Sequence, residues 1–222
     1  MNGHVKSMHF KQFMEPATTL LSLLLVMAVD STRFVAASRN QQCGNSLQQT
    51  LKLTRLIHKQ SGDLIKTYKA SQGEMSELFC KVSVNDVPDP NISGLEHSER
   101  IVSIYTHLQD FFPHLKRVYE QQTDLQSPTS PLLTDLNRVR ASSRSLAALV
   151  NSFYQSLFPN LPMPEPAGGP TTLPPPQNVF QQKVYGCVVL KTYLKLLSNV
   201  TRELRTLKNK VCRRRIQINS LF

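Results

Sequence analysis

The chain is 222 residues long, 40% apolar and 18% charged, with four cysteines and a formal net charge of +11. That is enough apolar material for one core or at most two small ones. The absence of internal repeats or an abrupt compositional split makes a single domain the economical reading. The charge is concentrated: from Lys183 to Arg215 there are ten Lys or Arg side chains, opposed only by Glu203.

Residues 17–29, ATTLLSLLLVMAV, form an apolar run preceded by Lys6 and Lys11 and followed by the small residues Ala36, Ala37 and Ser38. A membrane span needs roughly 18 or more apolar residues, and Asp30 with Arg33 ends this run too early. The pattern predicts a secretory signal peptide over 1–38, cleaved after Ala37 or Ser38, and a mature domain over 39–222 with no membrane insertion. An oxidising destination makes Cys43, Cys80, Cys187 and Cys212 an even disulfide set. No CxxC or HExxH is present and no histidine lies near a cysteine, so neither a metal nor a cofactor is expected. Two sequons, at Asn91 and Asn199, are candidate glycosylation sites and agree weakly with secretion.

Past the leader, four segments carry the 3.6-residue apolar period and none shows strand alternation. The first runs from about Gly44 to Ala70 with Leu47, Leu51, Leu56, Ile57, Leu64, Ile65 and Tyr68 on one side, and stops at Gln72-Gly73. Gly62 inside it weakens the helix by roughly 1 kcal/mol relative to alanine. Residues 74–95 read as a loop of about twenty residues, unusually long for a compact domain. The second segment starts near Glu96 to Ser98 and carries Ile101, Ile104, Leu108, Phe111, Leu115 and Val118, with Pro113 expected to kink it. The third starts near Leu132 and ends before Pro159, with Leu136, Val139, Leu146, Val150 and Phe153 inward. Eight prolines then fall within 159–177, marking a flexible or polyproline-like crossover. The fourth, about Gln177 to Arg213, is the longest, and places Val184, Val188, Tyr193, Leu194, Leu197, Val200, Leu204, Leu207 and Val211 inward.

Two long connections, after the first and third helices, are what an up-up-down-down arrangement needs, because parallel neighbours cannot be joined by short turns. The predicted fold is therefore all-α, a long-chain four-helix bundle with two crossovers. Helices one and four are then antiparallel, which favours Cys43 with Cys212 and Cys80 with Cys187 among the three connectivities four cysteines allow. At the start of the fourth helix, Phe180 and Lys183 sit side by side on one face, an apolar plate beside a cation. Such a pair suits a protein-recognition hot spot. The competing reading buries Phe180 against the crossover.

The chain resembles the leukemia inhibitory factor, oncostatin M, ciliary neurotrophic factor and cardiotrophin family of long-chain helical cytokines. The resemblance rests on Phe180-Gln181-Gln182-Lys183 followed by Gly186-Cys187, on YKASQGE from Tyr68 to Glu74, and on Cys80. It covers the mature chain in order. It implies an extracellular signal, monomeric before receptor binding, that brings receptor chains together and activates kinases inside the cell by JAK-STAT signalling. Phe180 and Lys183 match the family's contact for a leukemia inhibitory factor receptor type chain. A second surface for a glycoprotein 130 type chain is implied, by position alone, at Thr50, Leu53, Ile57, Ala148 and Asn151. The third helix carries no cysteine here, whereas relatives bridge it to the start of the first, and the tail RRRIQINSLF extends past the family's usual end.

No Ser, His and Asp spacing suggests a triad among the six scattered histidines, so an enzyme is not expected. The basic fourth helix would raise nucleic-acid binding inside a cell. Behind a leader the available polyanions are heparan sulfate and acidic receptor surfaces, and the same charge also serves simply to solvate the helix. Two alternatives therefore stand beside the cytokine reading: a secreted heparin- or lipid-binding helical carrier, and a cytokine of the growth hormone or leptin branch.

Overall fold

The computed structural model describes the backbone of residues 14–82, 84, 86–163, 173 and 177–218, and within these the side chains of residues 43–208 and of Lys210. The chain divides into two compact units, Met1–Gln41 and Gln42–Phe222, and the helical core lies in the second. Five helices follow one another: α1 (Met14–Gln72), α2 (Ser76–Phe79), α3 (His97–Leu125), α4 (Pro131–Leu157) and α5 (Val179–Ile218), with no strand among the described residues. The side chains of the leader segment 1–38, Ala37 and Ser38 included, lie outside the described residues. No described helix is long and apolar enough to cross a membrane.

Local chemistry explains where the helices begin and end. The first long helix stops because Gly73 takes φ +86°, a left-handed conformation that costs a glycine nothing. Ahead of α3, Gly94 takes φ +122°, and a Cβ there would sit 2.8 Å from Glu99 Cβ. The Glu99 carboxylate accepts from the Leu95 and Glu96 amides at 2.8 and 3.2 Å, which satisfies amides at the helix start and holds that carboxyl below the usual range. α4 opens with Pro131 in its first turn, where a missing N–H is no loss. Pro113 lies inside α3, which continues through it to Leu125. Between α1 and α3, the stretch expected as plain loop contains the single helical turn α2.

Contacts between helices fix their directions. Gln72 Nε2 donates to Gln122 Oε1 at 2.9 Å, so α1 and α3 end together and run parallel. The Tyr68 hydroxyl donates to the Lys183 carbonyl at 3.0 Å, bringing the end of α1 to the start of α5. Arg100 and Glu203 pair at 2.9 Å, bringing the start of α3 to the end of α5. Thr50 Oγ1 lies 3.5 Å from the Leu149 carbonyl, which sets the early bundle part of α1 beside the late part of α4. The result is the expected up-up-down-down bundle, with one short link (126–130) and two long ones.

One continuous core runs through the bundle, with Leu47, Leu51, Ile57, Leu64 and Tyr68 buried from α1 and Ile101, Ile104, Leu108, Phe111, Leu115 and Val118 from α3. Some inward assignments are corrected. Leu56 is 50% exposed, because it lies on the far side of α1 from Leu47 and Leu51. In α5 Val188 and Leu194 are only half-buried, while Tyr185, Val189, Leu190 and Leu196 are buried. The long last helix is enclosed on more of its circumference than a single stripe, since the first crossover and three long helices pack on it.

The disulfide Cys80–Cys187 joins the end of α2 to α5, with the two Cα atoms 5.3 Å apart. Cys43 is also disulfide-bonded; its expected partner Cys212 has its side chain outside the described residues. Two hydrogen bonds hold the first crossover onto α5, from Lys191 Nζ to the Cys80 carbonyl at 2.6 Å and from Asn199 Nδ2 to the Pro90 carbonyl at 2.9 Å.

Candidate functional site

The first turns of α5 are fixed by a reciprocal cap. The Gln181 amide donates to Asn178 Oδ1 at 2.9 Å, and the Asn178 amide donates to Gln181 Oε1 at 3.0 Å. This is the capping-box arrangement built from Asn-x-x-Gln. Gln182 Nε2 donates back to the Gln177 carbonyl at 2.9 Å, and Gln121 Nε2 in α3 donates to Gln177 Oε1 at 2.8 Å. The helix thus starts at a set place on the bundle although a proline-rich crossover leads into it.

Phe180 lies on this anchored turn and is 57% exposed. Its ring also stands edge-on to Phe79 of α2, with centroids 5.2 Å apart and planes at 85°. One edge of the ring rests on a neighbour in α2 while most of it meets solvent. Nearby in sequence, Met75, Leu78, Val82 and Val179 are each about half exposed. The turns carrying Phe79 and Phe180 are thus rich in accessible apolar surface, which in a single chain marks an interaction site. Lys183, one turn after Phe180, is half-buried, and its ammonium makes no ion pair among the described residues. Close by, Lys69 and Glu77 pair at 2.8 Å, and that ammonium lowers the Glu77 pKa.

Behind Phe180 and Lys183 the backbone of α5 is held by α1. Tyr68 is buried with its hydroxyl on the Lys183 carbonyl. A Cβ at Gly186 would overlap the Tyr68 hydroxyl oxygen and stand 2.8 Å from its Cζ. Only glycine lets the two helices close to this distance. Burial raises the Tyr68 pKa well above its ordinary value, so the hydroxyl stays a donor. Next to Gly186 in sequence, Tyr185 shares a 2.7 Å hydrogen bond with His114 Nδ1 of α3. Burial pushes His114 down to about 4, with Asp86 opposing and Arg117 adding to the shift. Cys187 lies directly beyond, bridged to Cys80.

The proposed second surface is only partly assembled. Thr50 and Ile57 are fully buried and are corrected to core positions: Thr50 faces Leu149 of α4 and Ile57 belongs to the apolar core. Leu53 and Asn151 are half-buried and Ala148 is exposed. Leu56, three residues after Leu53, is the exposed apolar residue of that stretch. Of the two sequons, Asn91 is exposed, its Nδ2 donating to Asp89 Oδ1 at 2.7 Å. Asn199 is 7% exposed and its Nδ2, the atom a glycan would occupy, is committed to Pro90. The reading of Asn199 as a candidate glycosylation site, which needs that face exposed, is therefore corrected.

Phe79 and Asn178 are positioning residues that reading the sequence left out, and Tyr68, expected on the inward side of its helix, additionally holds the Lys183 carbonyl. Asn178 was detectable, since Asn178-Val179-Phe180-Gln181 is itself a cap signature. Phe79 carried no signal, because it stands in a stretch whose periodicity is too short to read. No cluster of three or more potential metal ligands exists among the described residues.

A family model described as the LIF / OSM family matches residues 45–204. No curated protein matches the chain. The matched stretch begins within α1 and ends within α5, so it takes in the four long helices, both crossovers and the Tyr68, Phe180, Lys183 and Gly186 assembly. The chain belongs to the LIF / OSM family of helical cytokines.

Proposed function

We propose that this chain is a secreted cytokine that joins a leukemia inhibitory factor receptor type chain to a glycoprotein 130 type chain and triggers kinase-linked JAK-STAT signalling, with no catalytic step of its own. The observation that carries the reading is the exposed Phe180 beside Lys183, on a helix start secured by a reciprocal cap, a disulfide and the Tyr68 hydrogen bond. A fixed aromatic with an adjacent cation loses little freedom on binding, and such anchors dominate interface energetics. The second surface in this reading comprises Leu53 and Leu56 of α1 with Ala148 and Asn151 of α4.

The same reading takes residues 1–38 as a leader, 39–222 as the cytokine domain, Asn91 as the glycan site, and Cys43 with Cys212 as the second bridge. The chain is a monomer until it meets its receptors. Family membership favours this reading over the growth hormone or leptin branch.

The decisive experiment measures binding of purified receptor ectodomains to wild type and to Phe180→Ala combined with Lys183→Ala. The double variant should bind the leukemia inhibitory factor receptor type ectodomain at least about thirtyfold more weakly, the ~2 kcal/mol threshold of a hot spot. Its thermal unfolding should hardly move, since the Phe180 ring is mostly in solvent. Undiminished binding by the double variant would refute the assignment.

A further inference from the structure

A second surface feature lies far from Phe180. An open groove of about 540 Å³ runs between α1 and α5, lined by Arg55 and His58 from the first helix and by Ser198, Thr201, Arg202 and Arg205 from the last. Phe180 and Arg202 are 22 residues apart on α5, about 30 Å along the helix axis at 1.5 Å per residue.

The groove is basic by construction. No residue lining it is acidic or apolar. From Cys43 to Gly62 the first helix carries no Asp or Glu, while the last carries only Glu203, which is taken by Arg100 at 2.9 Å and lies 3.9 Å from Arg202. Arg55 and Arg205 make no ion pair among the described residues. Lys59 and Lys208, each about one turn beyond an arginine of the groove, are exposed and extend the positive strip along both helices. Like charges on facing helices repel, and the one acid that ion-pairs with a groove arginine among the described residues is Glu203, shared between Arg100 and Arg202. Guanidinium groups with at most a shared acid partner, flanked by hydroxyl donors, are the components of an anion site, because each guanidinium offers a fork of donors matched to sulfate or phosphate oxygens.

We propose that this groove binds a linear sulfated polysaccharide of the heparan sulfate type, which would hold the protein at cell surfaces or in the extracellular matrix while leaving the Phe180 end free. Several features select that occupant. The groove is open along the helix seam, so it accepts an extended anion rather than enclosing a single ion. It offers no apolar wedge of the kind a protein bound to an anionic membrane inserts. It offers no aromatic anchor of the kind a protein partner would need. The proposal depends on the chain being extracellular and on nothing else in the receptor reading, so the two succeed or fail separately.

The test measures binding of heparin oligosaccharides of increasing length to the mature protein with its disulfides intact, at physiological salt. Three charge-matched triple variants are compared: Arg55→Ala, Arg202→Ala and Arg205→Ala in the groove; Lys116→Ala, Arg138→Ala and Arg144→Ala on α3 and α4; and Arg213→Ala, Arg214→Ala and Arg215→Ala in the tail. The groove variant should bind at least tenfold more weakly and lose much of the salt dependence that displaced counterions give polyanion binding. It should retain affinity for the leukemia inhibitory factor receptor type ectodomain, the one assigned to Phe180, and its circular dichroism spectrum. The other two variants should stay within about threefold of wild type. Equal losses in all three would make the effect one of net charge and overturn the proposal, as would a loss confined to the tail variant. Tight binding to phosphatidylserine vesicles with none to oligosaccharides would overturn it in favour of a lipid surface.

Discussion

Two glycines inside long helices have opposite meanings here. Gly62 in α1 has open space where a Cβ would go, with nothing within 4 Å, whereas at Gly186 in α5 the same atom would overlap Tyr68. Gly62→Ala should therefore raise unfolding free energy by about 0.5–1 kcal/mol through backbone entropy alone. Gly186→Ala should lower it by about 1–3 kcal/mol, the usual scale of overpacking. Urea denaturation of both variants checks the pair. A Tyr68→Phe background should recover part of the Gly186→Ala loss, because the hydroxyl is the nearest atom to the new methyl, and such coupling between neighbours is what a double-mutant cycle detects. In the sequence these glycines look alike. Only the Tyr68 side chain arriving from another helix, 118 positions away, separates them. Asn199 makes the same point for polar residues: the sequon is plain in the sequence, but the Pro90 carbonyl that claims its amide comes from a crossover over a hundred positions earlier.

At the scale of elements, the long helices were legible because amphipathic periodicity over 25 or more residues overrides local noise. The four-residue α2 was not, since one turn is too short to display a period. This small helix matters beyond its size. It presents Phe79 to Phe180 and ends at Cys80, whose bridge to Cys187 closes a separation of 107 residues. Replacing both cysteines by serine should destabilise the fold by up to roughly 4 to 5 kcal/mol, an upper bound from chain entropy, seen as a lower urea midpoint. Receptor affinity should fall too, because the turn carrying Phe79 would no longer be tied beside Phe180. A variant that kept wild-type affinity at temperatures well below its unfolding would show that α2 has no part in the contact.

For the whole molecule, stability against acid depends on a buried histidine. His114 is 1% exposed, hydrogen-bonded to Tyr185, and titrates at about 4 in the folded protein against 6.5 ordinarily. Between those values the unfolded chain takes up a proton that the folded chain refuses, so stability falls as pH drops from about 6.5 towards 4 and is unaffected by this group above that window. Urea midpoints measured across pH 4 to 7 should show that slope, and His114→Gln, which cannot titrate, should flatten it. Glu77 and Glu99, whose carboxyls are held low, add to acid sensitivity only below about 4.5.

The sequence by itself determined the helical class, the number of long helices, the crossovers that force parallel first and second long helices, and the Cys80–Cys187 bridge. Each follows from periodicity, proline content or topology, which are properties of the chain read in order. Tertiary structure decided which polar atoms were spent. Whether Phe180 meets water or a neighbour, whether Thr50 and Ile57 belong to a surface or the core, and whether Asn199 is free depend on what packs against them from elsewhere. A 3.6-residue period marks the core-facing side of a helix but not how far the neighbouring helices and crossovers wrap around its flanks, and the flanks are where recognition residues sit.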